Sequence, residues 1–583
     1  MILDRINGPK DLKTLNAAER KELAQEIRQA MLKRASIHGG HFGPDFGIVE
    51  ATIALHTVFD SPKDKIVWDV SHQVYPHKIL TGRKQAYLEE EHYDDVSGYS
   101  NPAESEHDFF EVGHTSTSIS LASGLAMARD LRGGHENIIA VIGDGSMSGG
   151  EALEGLDTVG EMGTNMIIVL NDNQMSIAEV HGGMYKGFEE LRRTGGKSEH
   201  NLFRAMGLDY RFVADGNDSE ALIKVFREVK DMDHPVVVHI VTQKGKGYKF
   251  AEENKESWHW HMPFDIETGE VKQPYVDEAA ELTASYLLDR LKTDKKLAIL
   301  TAATPASFGF TPERRKQAGK QFIDVGIAEE QAVAMASGLA KGGARPVFGD
   351  YATFFQRTYD QISQDVCINN NPAVFLVFGA SMYSMNDVTH LCIFDIPMMA
   401  NIPNLVYLAP VSLAEYKAML AWALDQTDHP VAIRVPVLPV SSEGRVIRTD
   451  YSQLNTYEVT RQGSDVAILG LGNFYGLAEH TAAELEKKGI HATIINPTYI
   501  TGLDTDLLES LKKDHRLVVT MEDGVLDGGF GEKIARFYGS SDMKTYAFGL
   551  EKKFYDRYDY EKLAEKYNLK PELAAKRILD LIK

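Results

Sequence analysis

The stretch that most constrains the fold spans residues 138–177, two apolar segments that each end in a cluster of small and polar residues. Residues 138–142 are continuously apolar rather than alternating, which predicts a strand buried on both faces of a parallel sheet. The run ends in Gly143-Asp144-Gly145, where two glycines let the backbone turn tightly beside a ligand. A helical segment follows, then a second apolar strand over 166–170 that ends in Asn171-Asp172-Asn173. Asp144 and Asn173 are thereby expected at the carboxyl ends of two strands, where open α/β sheets bind ligands. The Asp144 carboxylate, the Asn173 carboxamide and a carbonyl just beyond, such as that of Met175, make a hard-oxygen donor set. Such a set suits Mg²⁺, which keeps few protein ligands and takes the rest from water and phosphate oxygens.

The same alternation extends along the chain. Asn16 with Glu19 predicts a capping box, followed by Leu23, Ile27 and Met31 on one helical face. A glycine-rich loop carrying His38 and His41 leads into an apolar helix. After a short strand over 66–70 come His72, His77, Lys78 and Arg83, a local positive cluster open to two readings, a solvated turn or an anion site. Residues 111–118, ending in small hydroxyls that include Thr115 and Ser116, precede a helix whose N-terminal N–H groups could meet phosphate. Residues 175–205 hold several glycines and little periodicity, which predicts a mobile loop. His259 and His261 alternate with Trp258 and Trp260 without further ligands nearby in sequence, so they are read as cleft-lining rather than metal-binding.

Strands are expected over 297–301, 346–349, 373–378, 405–408 and 431–435, with helices over 329–341 and 355–369 among them. A third set begins at 466 and closes with a helix over 571–582. Alternating strands and helices imply doubly wound sheets. The expected organisation is α/β with three doubly wound domains, 1–264, 295–438 and 451–583, joined by linkers 265–294 and 439–450.

The chain has 583 residues and a net charge of −22, which argues against a nucleic-acid footprint. No run approaches the ~20 apolar residues of a membrane span, and the first residues carry no apolar targeting segment, so a cytoplasmic protein without a membrane partner is expected. The only cysteines, Cys367 and Cys392, lie in apolar surroundings and read as packing residues in a reducing compartment.

Gly143-Asp144-Gly145 and Asn171-Asp172-Asn173, at this spacing between apolar strands, resemble the diphosphate-binding motif of thiamine diphosphate enzymes. Residues 326–329, Gly-Ile-Ala-Glu, resemble the segment of transketolase-like enzymes whose glutamate contacts the cofactor's pyrimidine. Together with VWDVSHQVYPHKILTGR, GHTSTSISLASGLAMARDL and DVGIAEEQAV, they make nearly the whole chain similar to the 1-deoxy-D-xylulose-5-phosphate synthase branch of that family.

The resemblance implies a transketolase-like fold of diphosphate-binding, pyrimidine-binding and C-terminal domains, thiamine diphosphate and Mg²⁺ as cofactors, and a homodimer. It implies decarboxylation of pyruvate and ligation of the two-carbon unit to D-glyceraldehyde 3-phosphate or a related aldehyde; a transketolase-type ketol transfer is the alternative. By position, Asp144, Asn173 and Met175 would hold the metal. His72, His114, Ser116, Gly143, Asp144, Gly145, Ser146, Asn173, Met175, Glu329 and Phe354 would hold the cofactor. Glu329, His41, His259, His390, Tyr351 and Arg357 would act in catalysis.

The departures concentrate on the acceptor side. Phe378-Gly379-Ala380-Ser381 and Val435-Pro436-Val437-Leu438 stand where the family usually carries arginines for the acceptor phosphate. Neither Gly379 nor Val437 can make bidentate guanidinium contacts. Asn386 stands where the family has an aspartate, and Gln331 where it has a histidine. Lys244, Lys246 and Arg434 are the cations available to replace a phosphate contact.

Overall fold

Continuous apolar runs become buried parallel strands because a strand covered on both faces can place only apolar side chains there. The first sheet has five strands in the spatial order Lys65–Trp68, Ile138–Gly143, Met166–Asp172, Pro235–Val241 and Asp209–Val213, all parallel. The central strand runs two residues past the apolar run, so Asn171 and Asp172 belong to the sheet and Asn173 is the first residue beyond it. The computed structural model describes residues 1–583 and divides into two units, Met1–Tyr275 with Gly326–Ala328, and Val276–Val325 with Glu329–Lys583.

In the first unit Asn16 caps the helix Ala17–His38, with the reciprocal bond from Asn16 N to Glu19 completing the capping box. Leu23, Ile27 and Met31 are buried as their spacing requires. His38 closes this helix instead of lying on the loop, and its exposed ring meets Asp94. The positive cluster is neither a solvated turn nor an anion site. Lys78 Nζ donates to Glu104 at 2.6 Å, Arg83 forks onto Asp108 at 2.7 and 2.9 Å, and His77 contacts Asp108 at 2.9 Å. The acidic partners lie more than twenty residues downstream (|i−j| of 25 to 31 for Asp108), beyond the reach of local sequence patterns. Residues 175–205 hold the helix Met184–Arg193, which buries Phe188 and Leu191.

The second unit carries two sheets. One is fully parallel, in the order Val406–Leu408, Val431–Arg434, Val374–Phe378, Arg345–Tyr351, Leu297–Thr301 and Phe322–Asp324. Its last strand, only three residues long, is too short to leave a periodic pattern in the sequence. The helix Glu329–Lys341 forms as expected, whereas 355–369 is a 3-10 turn, Phe354–Thr358, followed by a π turn, Gln361–Cys367. The other sheet runs Glu458–Arg461, Thr493–Asn496, Asp465–Gly470, His515–Val525 and Lys544–Leu550. Its first strand is antiparallel, so this sheet is doubly wound with a reversed edge rather than purely parallel. Cys367 and Cys392 are buried and free.

One hydrophobic cluster, with Leu300, Phe348 and Phe375 from the six-stranded sheet and Leu469, Ile495 and Val518 from the five-stranded one, makes the second unit continuous. Within it Arg434 donates from Nε to Asp395 at 2.8 Å and from Nη1 to Asp523. Tyr407 Oη donates to Asp395 at 2.6 Å and Asn473 Nδ2 to Asp523 at 2.8 Å. Removing the guanidinium leaves two buried carboxylates without a counter-charge, which costs about 3–5 kcal/mol. Arg434→Met is therefore expected to lower the denaturant midpoint clearly. A midpoint equal to that of the unsubstituted protein would show that this network does not hold the two sheets together.

Candidate active site

At the end of the central strands of the first unit the backbone itself shapes a recess. A Cβ on Gly145 would meet Ser176 Cβ at 2.8 Å and Cα at 2.9 Å, so no larger residue fits where this turn passes the loop after the strand Met166–Asp172. Gly143 faces open space. Asp144 is buried, and its Oδ2 has no hydrogen-bond partner. Burial, and next the charge of Asp172, raise the Asp144 carboxyl well above the usual carboxylate range. Burial also pushes Asp172 upward, but hydrogen bonds and charge from His239 and Arg192 outweigh it, and Asp172 titrates below its ordinary value. His239 Nε2 lies 2.8 Å and Arg192 Nη1 2.5 Å from Asp172 Oδ2. The outcome is one carboxylate with charged partners, Asp172, beside one that has backbone donors only, Asp144.

Asn173 Oδ1 accepts from Met175 N at 3.1 Å, which folds the chain back beside Asp144. Tyr185 Oη donates to the Asp144 carbonyl at 3.0 Å. The helix Met184–Arg193 thus touches this recess twice, through Tyr185 and Arg192. Ser116 Oγ donates to the Ser146 carbonyl at 2.7 Å. The backbone N–H groups of Ser116 and Ser118 donate to Asp69 at 2.8 and 3.0 Å, so these two donors at the start of the helix Ser118–Leu131 are not open to phosphate. His114 is half-buried in the preceding loop.

A second group in the same unit joins His41, His72 and His259. His41 and His72 stack with centroids 4.4 Å apart, and His259 stands edge-on to both, at 5.5 and 4.9 Å. Burial, followed by Lys244 and the neighbouring rings, holds His259 well below the usual imidazole range; burial, His72 and Lys244 do the same for His41. Lys244 is buried, donates to the Ser176 carbonyl at 2.7 Å, and is brought down to about 7 by burial, with Asp144 opposing.

In the second unit Glu329 opens the helix Glu329–Lys341 and is buried. Its Oε2 makes no hydrogen bond, and Arg357 Nη1 approaches only to 3.9 Å. Burial raises the Glu329 carboxyl to about 7, against the pull of Arg357. Asp350, itself pushed well upward by burial and by Glu329, accepts from Thr304 Oγ1 at 2.9 Å and Tyr351 N at 2.8 Å. Phe354 lies edge-on to His390 at 5.7 Å and to Tyr351 at 6.3 Å. Glu329 and Arg357 thus form one pair, and Tyr351, Phe354 and His390 one aromatic group.

The altered acceptor positions serve local structure. Gly379 has φ +66°, and a Cβ there would meet Ser384 Oγ at 2.8 Å. Val437 N donates to Asn473 Oδ1 at 2.8 Å, and Asn386 Nδ2 to the Tyr558 carbonyl at 3.0 Å. Arg434 is committed to Asp395 and Asp523 and does not replace a phosphate contact. His239, Arg192, Tyr185 and Asp350 shape these sites without being singled out in the sequence. A histidine at 239 inside an otherwise apolar strand was the one available signal.

These features fit the family profiles the chain matches: "1-deoxy-D-xylulose-5-phosphate synthase" over residues 3–198 and 194–242, the transketolase pyrimidine-binding domain over 280–440, and the transketolase C-terminal domain over 455–572. They define a transketolase-type enzyme. The 1-deoxy-D-xylulose-5-phosphate synthase of Clostridium beijerinckii is 36% identical, covering 100% of this chain and 99% of its own. That of Carboxydothermus hydrogenoformans is 38% identical over 98% and 97%. A transketolase structure from Pichia stipitis aligns over 97% of each chain at 15% identity with a TM-score of 0.45; the assignment rests on the sequence relatives. The chain belongs to the 1-deoxy-D-xylulose-5-phosphate synthase family.

The raised Glu329 carboxyl has a thermodynamic consequence. From its ordinary 4.5 up to about 7 the folded protein binds a proton that the unfolded chain releases, so stability falls as pH rises through that window. Glu329→Gln is expected to stabilise the cofactor-free protein at pH 8, by at most about 3 kcal/mol, and to have little effect at pH 4.5. Denaturant midpoints at the two pH values check this. A destabilised variant at pH 8 would contradict it.

Proposed function

We propose that this chain decarboxylates pyruvate and ligates the two-carbon unit to D-glyceraldehyde 3-phosphate or a related aldehyde, using thiamine diphosphate and Mg²⁺. The observation that carries the proposal is that Asp144 Oδ2 and Glu329 Oε2, at the two positions the family resemblance assigns to metal and cofactor, are among the buried carboxylate oxygens without hydrogen-bond partners. A buried, unsatisfied carboxylate oxygen is costly and calls for a ligand. Asp144, Asn173 Oδ1 and the Met175 carbonyl fit Mg²⁺ by donor chemistry, all being hard oxygens.

When bound, thiamine diphosphate supplies the electron sink that carbanion chemistry requires. The protein's part is to bind, orient and move protons. Gly143, Gly145, Ser146, Ser116, His72 and His114 are assigned to the diphosphate side. Glu329, with its carboxyl poised near neutrality, would hold or release a proton against the cofactor's pyrimidine, and Phe354 would pack on that ring. His41 and His259, neutral at pH 7, can accept protons, and His390, Tyr351 and Arg357 are assigned to substrate positioning. The proposal includes domain limits at 1–264, 295–438 and 451–583, a homodimer, cytoplasmic action, and a product used in isoprenoid and thiamine biosynthesis.

The acceptor is read by incubating the protein with pyruvate, Mg²⁺ and thiamine diphosphate, adding D-glyceraldehyde 3-phosphate or D-glyceraldehyde in parallel. Cofactor-dependent CO₂ release with a deoxyxylulose product is expected; its phosphorylation state identifies the acceptor. Absence of CO₂ would overturn the proposal in favour of a ketose donor. Glu329→Ala is expected to lower turnover at least ~100-fold while thiamine diphosphate and Mg²⁺ still bind. Turnover surviving that change would remove Glu329 from the mechanism.

A further inference from the structure

We propose that His41, His72 and His259 form a site for a borderline transition-metal cation, Zn²⁺ foremost, separate from the hard-oxygen set around Asp144. One ring nitrogen from each of the three lies within 4.8 Å of the others. Zn²⁺ bound at about 2.0–2.1 Å in tetrahedral geometry spaces its ligands about 3.3 Å apart, so the nitrogens draw together and the stacked His41 and His72 rings turn out of their parallel arrangement when the ion binds. Three imidazoles leave the fourth position open, the arrangement of metal sites that take a water or a substrate atom. Imidazole donors select Zn²⁺, Cu²⁺ or Ni²⁺, whereas Mg²⁺ favours oxygen.

The cluster is built by the fold rather than by chance proximity. The two-residue strand Gly40–His41 pairs antiparallel with Trp260–His261. Phe42 N donates to the His259 carbonyl at 3.0 Å and Gly43 N to the Trp258 carbonyl at 2.8 Å, which fixes His41 against His259. His72 arrives from a turn in which Val70 and Ser71 both have positive φ, 49° and 58°. A β-branched residue in that region is strained, and such strain persists where surrounding contacts impose it. Here Ser71 Oγ donates to the Val112 carbonyl at 2.5 Å and Gln73 Nε2 to the Asp69 carbonyl at 2.9 Å. His259 is buried, and its Nδ1 has no hydrogen-bond partner.

Metal ligation requires neutral imidazoles. Burial and mutual repulsion keep His41 and His259 in that form at neutral pH. Lys244 is the nearby charge that opposes a cation. Its ammonium is turned to the Ser176 carbonyl at 2.7 Å. If the catalytic reading above holds, a metal here occupies the histidines assigned to proton transfer, and Zn²⁺ becomes an inhibitor that Mg²⁺ does not relieve.

The test reads binding, not turnover, so its failure is separable from failure of the catalytic reading. The full-length protein, freed of cofactor and metal with a chelator, is titrated with Co²⁺ alone and followed by visible absorption; Zn²⁺ is then titrated by calorimetry. One equivalent per chain is expected, with the intense absorption of a four- or five-coordinate nitrogen site. His72→Ala and His259→Ala should each weaken Zn²⁺ at least ~100-fold. Asp144→Asn and the exposed His38→Ala should leave its affinity unchanged, and excess Mg²⁺ should not displace it. Circular dichroism checks the fold of each variant, and His72→Ala, at a half-exposed position, carries the result if His259→Ala does not fold. Equal Zn²⁺ affinity in the unsubstituted protein and a folded histidine variant, or loss of binding in Asp144→Asn, would overturn the site.

Discussion

Burying a carboxylate at the end of a parallel sheet with backbone donors but no charged partner is the constraint on which the first unit depends. Asp144 and Asp172 stand at neighbouring strand ends, and the charge of Asp172 raises the cost of charge on Asp144. The fold resolves this asymmetrically. His239, on the adjacent strand, and Arg192, from the helix Met184–Arg193, bind Asp172 and keep it ionised. Asp144 has no charged partner of this kind, and its Oδ2 makes no hydrogen bond. The helix that carries Arg192 also sends Tyr185 to the Asp144 carbonyl. Local order over 175–205 is thus tied to the electrostatics of the turn.

The second unit repeats that logic with different parts. Asp350 is a buried carboxyl raised by burial and by Glu329, and only its Oδ1 is engaged, accepting from Thr304 Oγ1 and Tyr351 N. Glu329 keeps one oxygen unsatisfied and a carboxyl poised near neutrality, the condition for a group that must exchange a proton at physiological pH. Arg434, by contrast, spends its guanidinium on Asp395 and Asp523 deep between the two sheets of this unit. It serves cohesion and leaves acceptor recognition to other groups.

What could be read from the sequence follows from the range of the interactions involved. The strands over 138–142 and 297–301, the capping box at Asn16 and Glu19, and the helix Glu329–Lys341 are local patterns, and they form where periodicity places them. The Asp144–Asn173 recess was legible because a short strand–turn–helix–strand segment builds it. The partners of Lys78 and Arg83 were not, because Glu104 and Asp108 reach them through tertiary folding. The same holds for His41 and His259, which are distant in sequence and joined by a two-residue strand pair too short to leave a pattern. His38, three residues before His41, looked equivalent to it, yet the helix from Ala17 carries it to the surface.

The most direct test of this account is a calorimetric titration of thiamine diphosphate into the cofactor-free protein, with and without Mg²⁺, in the unsubstituted chain and in Asp144→Asn. The account predicts Mg²⁺-dependent binding that weakens at least ~100-fold in the variant, since a metal ligand and the local negative charge are both lost. Binding that is indifferent to Mg²⁺, or equally tight in Asp144→Asn, would contradict it.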